Sequence, residues 1–207
     1  MTQAGHIIFL NGTSSAGKTS IARSLQQQLS DPYVHIALDA FLDMFPPCWL
    51  DTQGGFGEIQ PSGSDATEAI YIGPIAQRLF SGYHRSLAAC AIAGNNLIVD
   101  HVLLERRWLQ ECVALLADFS VFFVGVRCPL DVLEVRERER GDRGPGQARK
   151  QFNLVHVDAL YDFEVDTSLG SPEGCAERIV MALRQPSTPS AFQQLSARLS
   201  VPIDSQR

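Results

Sequence analysis

The sequence predicts an α/β domain with a central parallel five-stranded sheet and helices on both of its faces. Apolar runs of strand length alternate along the chain with stretches whose apolar residues recur at helical spacing. Strands that alternate with helices form parallel sheets whose two faces are both covered. The chain has 207 residues, of which 45% are hydrophobic, so we expect a single domain with a sizeable core.

The predicted elements follow one another in a regular order. The strands are residues 7–10, 33–38, 97–99, 121–126 and 163–166, and the last of these is less apolar and suits a sheet edge. The main helices are residues 19–29, 75–93, 105–116 and 130–140, and the spacing allows a short helix at residues 191–199. Residues 45–64, rich in Pro and Gly, are expected to form a loop or lid. We place one domain at residues 1–185 and a Pro-, Ser- and Gln-rich tail at residues 186–207, which we expect to be peripheral or poorly ordered.

The strongest functional motif lies between the first predicted strand and the first predicted helix. It matches the phosphate-binding pattern G-x-x-x-x-G-K-[ST] at every fixed position, with the residues Gly12, Thr13, Ser14, Ser15, Ala16, Gly17, Lys18 and Thr19. The glycines let backbone N–H groups point inward, and the following helix adds the positive end of its dipole. We therefore predict a P-loop NTPase fold in which Lys18 reaches the β- and γ-phosphates of ATP and the Thr19 hydroxyl ligates Mg²⁺. A turn without a ligand is the disfavoured alternative.

Asp39 ends the second predicted strand, at the edge where parallel sheets place their ligands. A carboxylate there can accept a proton from a substrate hydroxyl as that oxygen attacks the γ-phosphate, so we predict Asp39 as the catalytic base. Two alternatives stay open: Asp39 can orient Mg²⁺ through water, or it can cap the N-terminus of the helix that follows. Asp43, four residues later, is a weaker candidate for the base.

Asp100 follows three apolar residues, which is the pattern of a carboxylate that holds Mg²⁺ beside a phosphate loop. We predict that Asp100 and Thr19 form the metal site, and the alternative is an ordinary aspartate at a strand end. The neighbouring His101 is assigned no role, because a lone histidine is more often structural than catalytic.

Arginines crowd the end of the predicted helix 130–140 and the Gly-rich segment that follows it. A short arginine-rich lid there could close over the nucleotide and stabilise charge on the transferring phosphoryl group. We predict Arg136 and Arg140 as catalytic residues and Arg143 as a contact to the nucleotide. The alternative is a solvated helix face, since glutamates alternate with these arginines.

Charge and cysteine usage narrow the expected partners. The chain has 17 Lys and Arg against 23 Asp and Glu, and its net charge of −6 disfavours binding to nucleic acid or to anionic membranes. The five cysteines lack metal-binding spacing, and no apolar run suits a signal peptide or a membrane span. We expect a cytoplasmic protein with free thiols, whose partner is a small-molecule hydroxyl acceptor.

These motifs together resemble the chloramphenicol phosphotransferase family of small P-loop kinases. The resemblance covers roughly residues 7 to 182 and rests on stretches that occur in the same order. The phosphate loop alone is generic, whereas Val-Gly-Val-Arg-Cys at residues 124–128 and Arg-Gly-Asp-Arg at residues 140–143 are far more specific. The other matching stretches are residues 72–74, 97–100, 150–151, 155–156 and 161–167.

The resemblance implies that ATP is the phosphoryl donor and that a primary hydroxyl of chloramphenicol is the acceptor. It places Asp39 at the family's catalytic aspartate, Lys18 and Thr19 at its nucleotide and Mg²⁺ positions, and the three arginines in or beside its short lid. Residues 44–64 depart from the family pattern, as does His101, where a second acidic residue is expected. Because residues 44–64 should shape the acceptor pocket, their departure concerns the acceptor and leaves the phosphoryl transfer intact.

The motifs favour an ATP-dependent O-phosphotransferase that modifies a small-molecule hydroxyl, and the resemblance implies chloramphenicol or a chloramphenicol-like compound as the acceptor. Residues 45–64 contain no Lys or Arg but include Phe45, Trp49 and Phe56, which favours a neutral, partly aromatic acceptor. These aromatic side chains are equally suited to anchoring a core. The alternative function is a nucleotide-binding regulatory or interaction module with little transfer activity, and a slow ATPase is a weaker option.

Overall fold

The computed structural model describes residues 3–50, 52–59, 69–141 and 146–199. In this part of the chain the strands are β1 (Ile7–Asn11), β2 (Tyr33–Ala37), β3 (Phe56–Ile59), β4 (Ala69–Ile72), β5 (Asn96–His101), β6 (Val121–Arg127) and β7 (Phe163–Asp166). Five of them form one sheet in the order β2-β5-β1-β6-β7, and every neighbouring pair is parallel. The predicted parallel sheet is therefore confirmed, with each predicted strand in its expected place.

Helices cover both faces of this sheet. They are α1 (Lys18–Gln28), α2 (Leu38–Leu42), α3 (Pro74–Ile92), α4 (Arg106–Leu116), α5 (Leu130–Arg140), α6 (Gln147–Phe152), α7 (Pro172–Leu183) and α8 (Ala191–Leu199). The structure adds α2, α6 and α7 to the helices that the apolar spacing predicted. None of the helices described here is both long and apolar enough to span a bilayer. All five cysteines lie in the described ranges and are free, as expected.

Alternate side chains of the central strand β1 belong to two separate cores. Ile7 and Phe9 pack into the core that contains buried residues of α3, α4 and α8. Ile8 and Leu10 pack into the other core, with buried residues of α1, α5 and α7. Because successive side chains of a strand point to opposite faces, a strand covered on both sides must be apolar throughout. This requirement explains the continuous apolar run before the phosphate loop.

Helix α8 completes one of the two cores. The ring of Phe192 is fully buried, 5.5 Å from the ring of Phe9 and 5.0 Å from that of Phe123, between centroids. Asp162 ties the helix to the sheet, because its carboxylate accepts hydrogen bonds from the backbone N–H groups of Phe123 and Ala191. The expectation of a peripheral tail is thus wrong for residues 191–199, whose apolar face covers rings of the central strands. Residues 200–207 lie outside the described ranges.

Residues 45–64, expected to be a loop or lid, contain regular structure in their described part. Pro47–Trp49 forms a short 3-10 helix, and β3 pairs with β4 in an antiparallel two-stranded sheet. Residues 60–68 lie outside the described ranges. The polar turn composition of this stretch conceals β3, whose pairing partner β4 follows only after residue 68.

Candidate active site

The phosphate loop joins β1 to α1 at the carboxyl edge of the sheet. Only glycine fits at position 12, because a Cβ atom there would lie 2.5 Å from the carbonyl oxygen of Val126. Gly17 caps the N-terminus of α1 with a φ of +88°, a left-handed conformation that favours glycine. Both fixed glycines of the motif therefore have a structural reason in this fold.

A buried cation and a buried carboxylate meet beside the loop. The Lys18 ammonium donates a hydrogen bond of 2.8 Å to the carbonyl oxygen of Thr13 and lies 3.7 Å from Asp100 Oδ1. The Thr19 hydroxyl donates a bond of 2.7 Å to Asp100 Oδ2, and His35 Nε2 lies 3.6 Å from the same oxygen. Burial by itself raises the pKa of Asp100, but Lys18, His35 and Thr19 together bring it below its usual value.

The pair of Thr19 and Asp100 has the chemistry of a magnesium site. Mg²⁺ prefers hard oxygen ligands, and it is commonly bound by one or two carboxylates together with the phosphates of a substrate. The hydroxyl and carboxylate oxygens lie next to each other, and both residues line the cavity above the phosphate loop. The predicted metal residues are therefore brought together and fit this ion.

A cavity of about 530 Å³ opens above the phosphate loop. Of the eight loop residues, those that line it are Ser14, Ser15, Gly17, Lys18 and Thr19, while those buried behind it are Gly12, Thr13 and Ala16. The cavity extends past Asp100 to the segment that follows β7, where Thr167, Gly170 and Pro172 line it. Its wall combines an ammonium, guanidinium groups and the start of a helix, which suits a polyphosphate.

The two described lid arginines both line this cavity. Arg136 is fixed by Thr167, because its guanidinium donates bonds of 2.9 Å to the Thr167 hydroxyl and 2.8 Å to the Thr167 carbonyl oxygen. Arg140 lies one helical turn further along α5 and lines the cavity as well. Arg143, predicted as a nucleotide contact, lies outside the described ranges. The alternative that these arginines lie on a solvated helix face does not hold for Arg136, because its guanidinium N–H groups donate to Thr167, in the segment after β7.

Asp39 lies in the first turn of α2, immediately after β2. The N-cap of α2 is Ala37, so the interpretation of Asp39 as a helix cap is wrong. Asp39 instead lines the cavity above the phosphate loop and also a second cavity of about 390 Å³. The wall between the two cavities consists of Leu38, Asp39 and Val102, which line both.

The second cavity is mostly apolar. Its apolar lining residues are Leu38, Leu42, Phe45, Leu50, Phe56, Phe80, Val102, Leu104 and Trp108, and its polar ones are Asp39, Asp43, Gln147 and Gln151. No Lys or Arg is among these described lining residues. Phe45 and Phe56 thus face the cavity and belong to the core at its base, whereas Trp49 does not line it.

Three side chains that hold the elements around the site together escaped the sequence analysis. Gln151 Oε1 accepts a bond of 2.7 Å from the Ser14 backbone N–H, so α6 is attached directly to the phosphate loop. Asn11 donates to the carbonyl oxygen of Val155, just after α6. The buried Glu137 carboxylate accepts bonds from the N–H groups of residues 146 and 148, which anchors the start of α6 to α5. The only signal for Gln151 was its place in the family-like stretch at residues 150–151.

His101 is fully buried next to the predicted metal residue Asp100. Its Nε2 lies 2.9 Å from Nε2 of His84, and Nδ1 of His84 lies 2.8 Å from the carboxylate of Glu111. Burial, and then the neighbouring His84, lowers the pKa of His101 well below its usual value, so its ring is neutral. This network connects β5 to α3 and α4 and gives His101 a structural position behind the site.

The chain is similar to a known protein family. A family model described as chloramphenicol phosphotransferase-like protein matches residues 5–184. The chain belongs to this family. As a family member it contains the phosphate loop, the strand-end carboxylates and the described lid arginines within the matched residues.

Relatives and solved structures place this family member among kinase-like proteins. Two proteins of Mycobacterium tuberculosis, strains CDC 1551 and H37Rv, carry the name "Putative O-phosphotransferase"; each is 33% identical over 204 residues, which covers 94% of this chain and 89% of the relative. The APS kinase CysC of M. tuberculosis, solved with AMPPNP and APS, has a TM-score of 0.63 at 14% identity and covers 89% of this chain and 100% of its own. A gluconokinase from Sinorhizobium meliloti has a TM-score of 0.57 at 14% identity, with coverages of 89% and 94%. These likenesses show the fold of P-loop kinases.

Proposed function

We propose that this protein is an ATP-dependent O-phosphotransferase in which Asp39 takes the proton from a hydroxyl of a neutral small molecule. The observation that carries the proposal is the position of Asp39 on the wall between the two cavities. One cavity has the groups that suit a triphosphate, and the other suits an apolar acceptor. Membership of the family and the kinase-like fold support a phosphotransferase.

The larger cavity would bind the nucleotide. Backbone N–H groups of the phosphate loop and the Lys18 ammonium contact the phosphates of ATP. Thr19 and Asp100 would hold Mg²⁺, which would neutralise negative charge on the phosphates. Arg136 and Arg140, which line the same cavity, stabilise charge on the transferring phosphoryl group. The two bonds from Arg136 to Thr167 keep its guanidinium in place for this task.

The transfer itself requires a proton acceptor between the two substrates. The acceptor hydroxyl lies against Asp39, whose carboxylate takes the hydroxyl proton as the oxygen bonds to the γ-phosphorus. The bond between the γ-phosphorus and the bridging oxygen breaks, and ADP leaves with that oxygen. The products are a phosphate monoester of the acceptor and ADP, and Asp39 returns its proton to solvent when the products depart.

The second cavity indicates the acceptor class. Its aromatic and aliphatic walls suit a compound with an apolar or aromatic part, as ligand pockets are mostly apolar with few polar groups. Its charged lining groups, in the described part of the chain, are the carboxylates of Asp39 and Asp43, which disfavour an anionic acceptor. We propose chloramphenicol or a chloramphenicol-like compound as the first acceptor to test, because of the family to which the chain belongs.

The test is a transfer assay with the purified full chain. The protein is incubated with Mg²⁺-ATP and chloramphenicol, beside a panel of hydroxylated metabolites and antibiotics, and mass spectrometry detects a product heavier by one phosphoryl group. Asp39→Asn should lower turnover by about 10²- to 10⁴-fold while ATP still binds. Asp43→Asn is the matched control, because it removes the same charge from the second cavity without touching the phosphate cavity, and it should retain most of the turnover.

The outcomes separate the candidate functions. Phosphorylated chloramphenicol that disappears with Asp39→Asn supports the reaction, the acceptor and the base together. A different phosphorylated panel member supports the reaction and replaces the acceptor. Tight ATP binding without any phosphorylated product counts against the transferase and favours a nucleotide-binding module. Equal turnover in the wild type and Asp39→Asn rejects Asp39 as the base.

A further inference from the structure

Two glutamine side chains of α6 border the second cavity. Gln147 and Gln151 are four residues apart, so they lie on the same face of the helix. Both line the second cavity together with Asp39. They are the neutral hydrogen-bonding side chains among its lining residues, apart from Trp108, whose indole N–H donates to Gln77.

The orientation of the Gln151 amide is fixed from outside the cavity. Its Oε1 accepts the buried bond from Ser14 N–H, and a backbone N–H can only donate, so the amide oxygen must face the phosphate loop. The opposite end, Nε2, carries two N–H donors. Within the described residues Nε2 forms no hydrogen bond, so these donors are the polar groups that Gln151 can offer to a molecule in the second cavity.

Gln147 supplies the complementary group. Its Oε1 is buried and has no hydrogen-bond partner among the described residues. Buried carbonyl oxygens are nearly always paired, because an unpaired one loses its interaction with water and gains nothing in return. A bound molecule with a donor would satisfy this oxygen.

Resting on the proposed function, we propose that Gln147 and Gln151 form a recognition pair for a second polar group of the acceptor, apart from the hydroxyl that is phosphorylated. The group must be neutral, must donate a hydrogen bond to Gln147 Oε1 and must accept one from Gln151 Nε2. A second hydroxyl and an amide both have this chemistry. A carboxylate does not, because it has no proton to donate and would lie in a cavity already bordered by Asp39 and Asp43.

The pair also connects acceptor recognition with the phosphate loop. Gln151 contacts Ser14 and the second cavity at once, and α6 is anchored to α5 through Glu137. An acceptor that forms a hydrogen bond with Nε2 therefore binds to a side chain whose orientation is already fixed by the phosphate loop. Helix α6 would therefore supply the specificity for the second polar group, and it contacts both the phosphate loop and the second cavity.

The test measures binding without ATP, so it does not depend on turnover. Calorimetry compares three neutral aryl probes: 3-phenylpropan-1-ol, which has only one hydroxyl; 3-phenylpropane-1,2-diol, which adds a second hydroxyl; and N-acetylphenylalaninol, which adds an amide. The wild type should bind the diol or the amide probe about tenfold or more tightly than the mono-alcohol, as expected for two added hydrogen bonds. The probe that binds more tightly than 3-phenylpropan-1-ol identifies which of the two groups, hydroxyl or amide, the pair recognises.

Two variants test the two halves of the pair. Gln151→Glu keeps an oxygen for Ser14 N–H but removes the N–H donors, and Gln147→Leu removes the buried acceptor at similar volume. Each variant should abolish the preference for the diol or amide probe over 3-phenylpropan-1-ol. Gln110→Leu, on the exposed face of α4, is the control and should bind all three probes like the wild type.

The outcomes distinguish this inference from the proposed function. Equal affinities for the three probes, no measurable binding of the diol and amide probes, or a preference that survives both variants overturns the recognition pair. Phosphoryl transfer with Mg²⁺-ATP is measured separately on the same proteins. Transfer without any probe preference rejects the pair alone, and a preference without transfer to any acceptor rejects the proposed function alone.

Discussion

The hydroxyl of Thr19 donates a hydrogen bond of 2.7 Å to the carboxylate of Asp100, although 81 positions separate the two residues in the chain. The bond joins the start of α1 to the end of β5, and Lys18 adds a cation 3.7 Å from the same carboxylate. A buried carboxylate is costly unless it is paired and hydrogen-bonded, and here both conditions are met. The pairing depends on the parallel sheet, which brings the ends of β1 and β5 side by side.

Lys18→Met removes the cation from this cluster. We expect turnover to fall by about 10²- to 10³-fold, because a charge that stabilises the phosphates in the transition state is lost. We also expect the pKa of Asp100 to rise, since the positive charge of Lys18 helps to lower it. Turnover and ATP affinity measure the first effect. Arg178→Met, exposed on α7, is the control, and unchanged values in Lys18→Met would contradict the role of the ammonium.

Glu137→Ala removes the carboxylate that accepts hydrogen bonds from the N–H groups of Gly146 and Ala148. We expect the free energy of unfolding to fall by about 1 to 3 kcal/mol, because two donors lose a buried partner. Urea denaturation measures this change. Glu139→Ala, on the exposed side of the same helix, should change stability by less than about 0.5 kcal/mol. Equal stability of the two variants would show that the Glu137 carboxylate does not hold α6.

Phe192→Ala tests whether α8 is part of the core. The ring is fully buried against Phe9 and Phe123, so its removal should cost about 3 to 5 kcal/mol of unfolding free energy. Arg198→Ala, exposed on the same helix, should have little effect. Denaturant unfolding compares the two. A loss below about 1 kcal/mol for Phe192→Ala would mean that α8 is only loosely attached.

The lowered pKa of His156 predicts how the free energy of unfolding depends on pH. Burial, with a contribution from Arg127, lowers its pKa from 6.5 to about 4 in the folded protein. Between these values the unfolded chain binds a proton that the folded protein does not, so stability falls as the pH is lowered from about 6.5 to about 4. The loss should be about 1 to 2 kcal/mol, since the ring is partly exposed and solvent screens its charge.

The measurement is the free energy of unfolding at pH 6.5 and at pH 4.5. His156→Gln should show a smaller loss than the wild type, because an amide can still accept a hydrogen bond from the Tyr161 hydroxyl but does not titrate in this range. His6→Gln changes an exposed histidine and should keep the pH dependence of the wild type. The same loss in His156→Gln as in the wild type would assign it to other groups.

The sequence could predict the sheet, the phosphate loop and the location of two aspartates, because these depend on local patterns. Parallel strands end at one edge, so Asp39 and Asp100 had to lie near the loop, although their catalytic and metal roles stay predictions. The contact between Gln151 and Ser14 spans 137 positions and depends on how α6 lies over the loop, which no local pattern encodes. The burial of Glu137 could not be predicted either, because the alternating charges of its segment are typical of a solvated helix.

The tail shows how composition can mislead. Pro and Ser around α8 indicated a peripheral segment, whereas the structure buries Phe192 and Leu195, three residues apart, on one face of the helix. The partner surface for this pair consists of rings on β1 and β6, far away in the sequence. Helix formation could therefore be predicted locally, but the packing of the helix could not.

The wall shared by the two cavities has a consequence for inhibition. Under the proposed function, the phosphorylated product would lie across the wall, with its phosphate in the cavity that Lys18 lines and its apolar part in the second cavity. Such a product would compete with both substrates rather than with one. A single molecule that links an aryl alcohol to adenosine through a chain of phosphates would occupy both cavities while losing translational freedom only once, and should bind more tightly than either substrate alone.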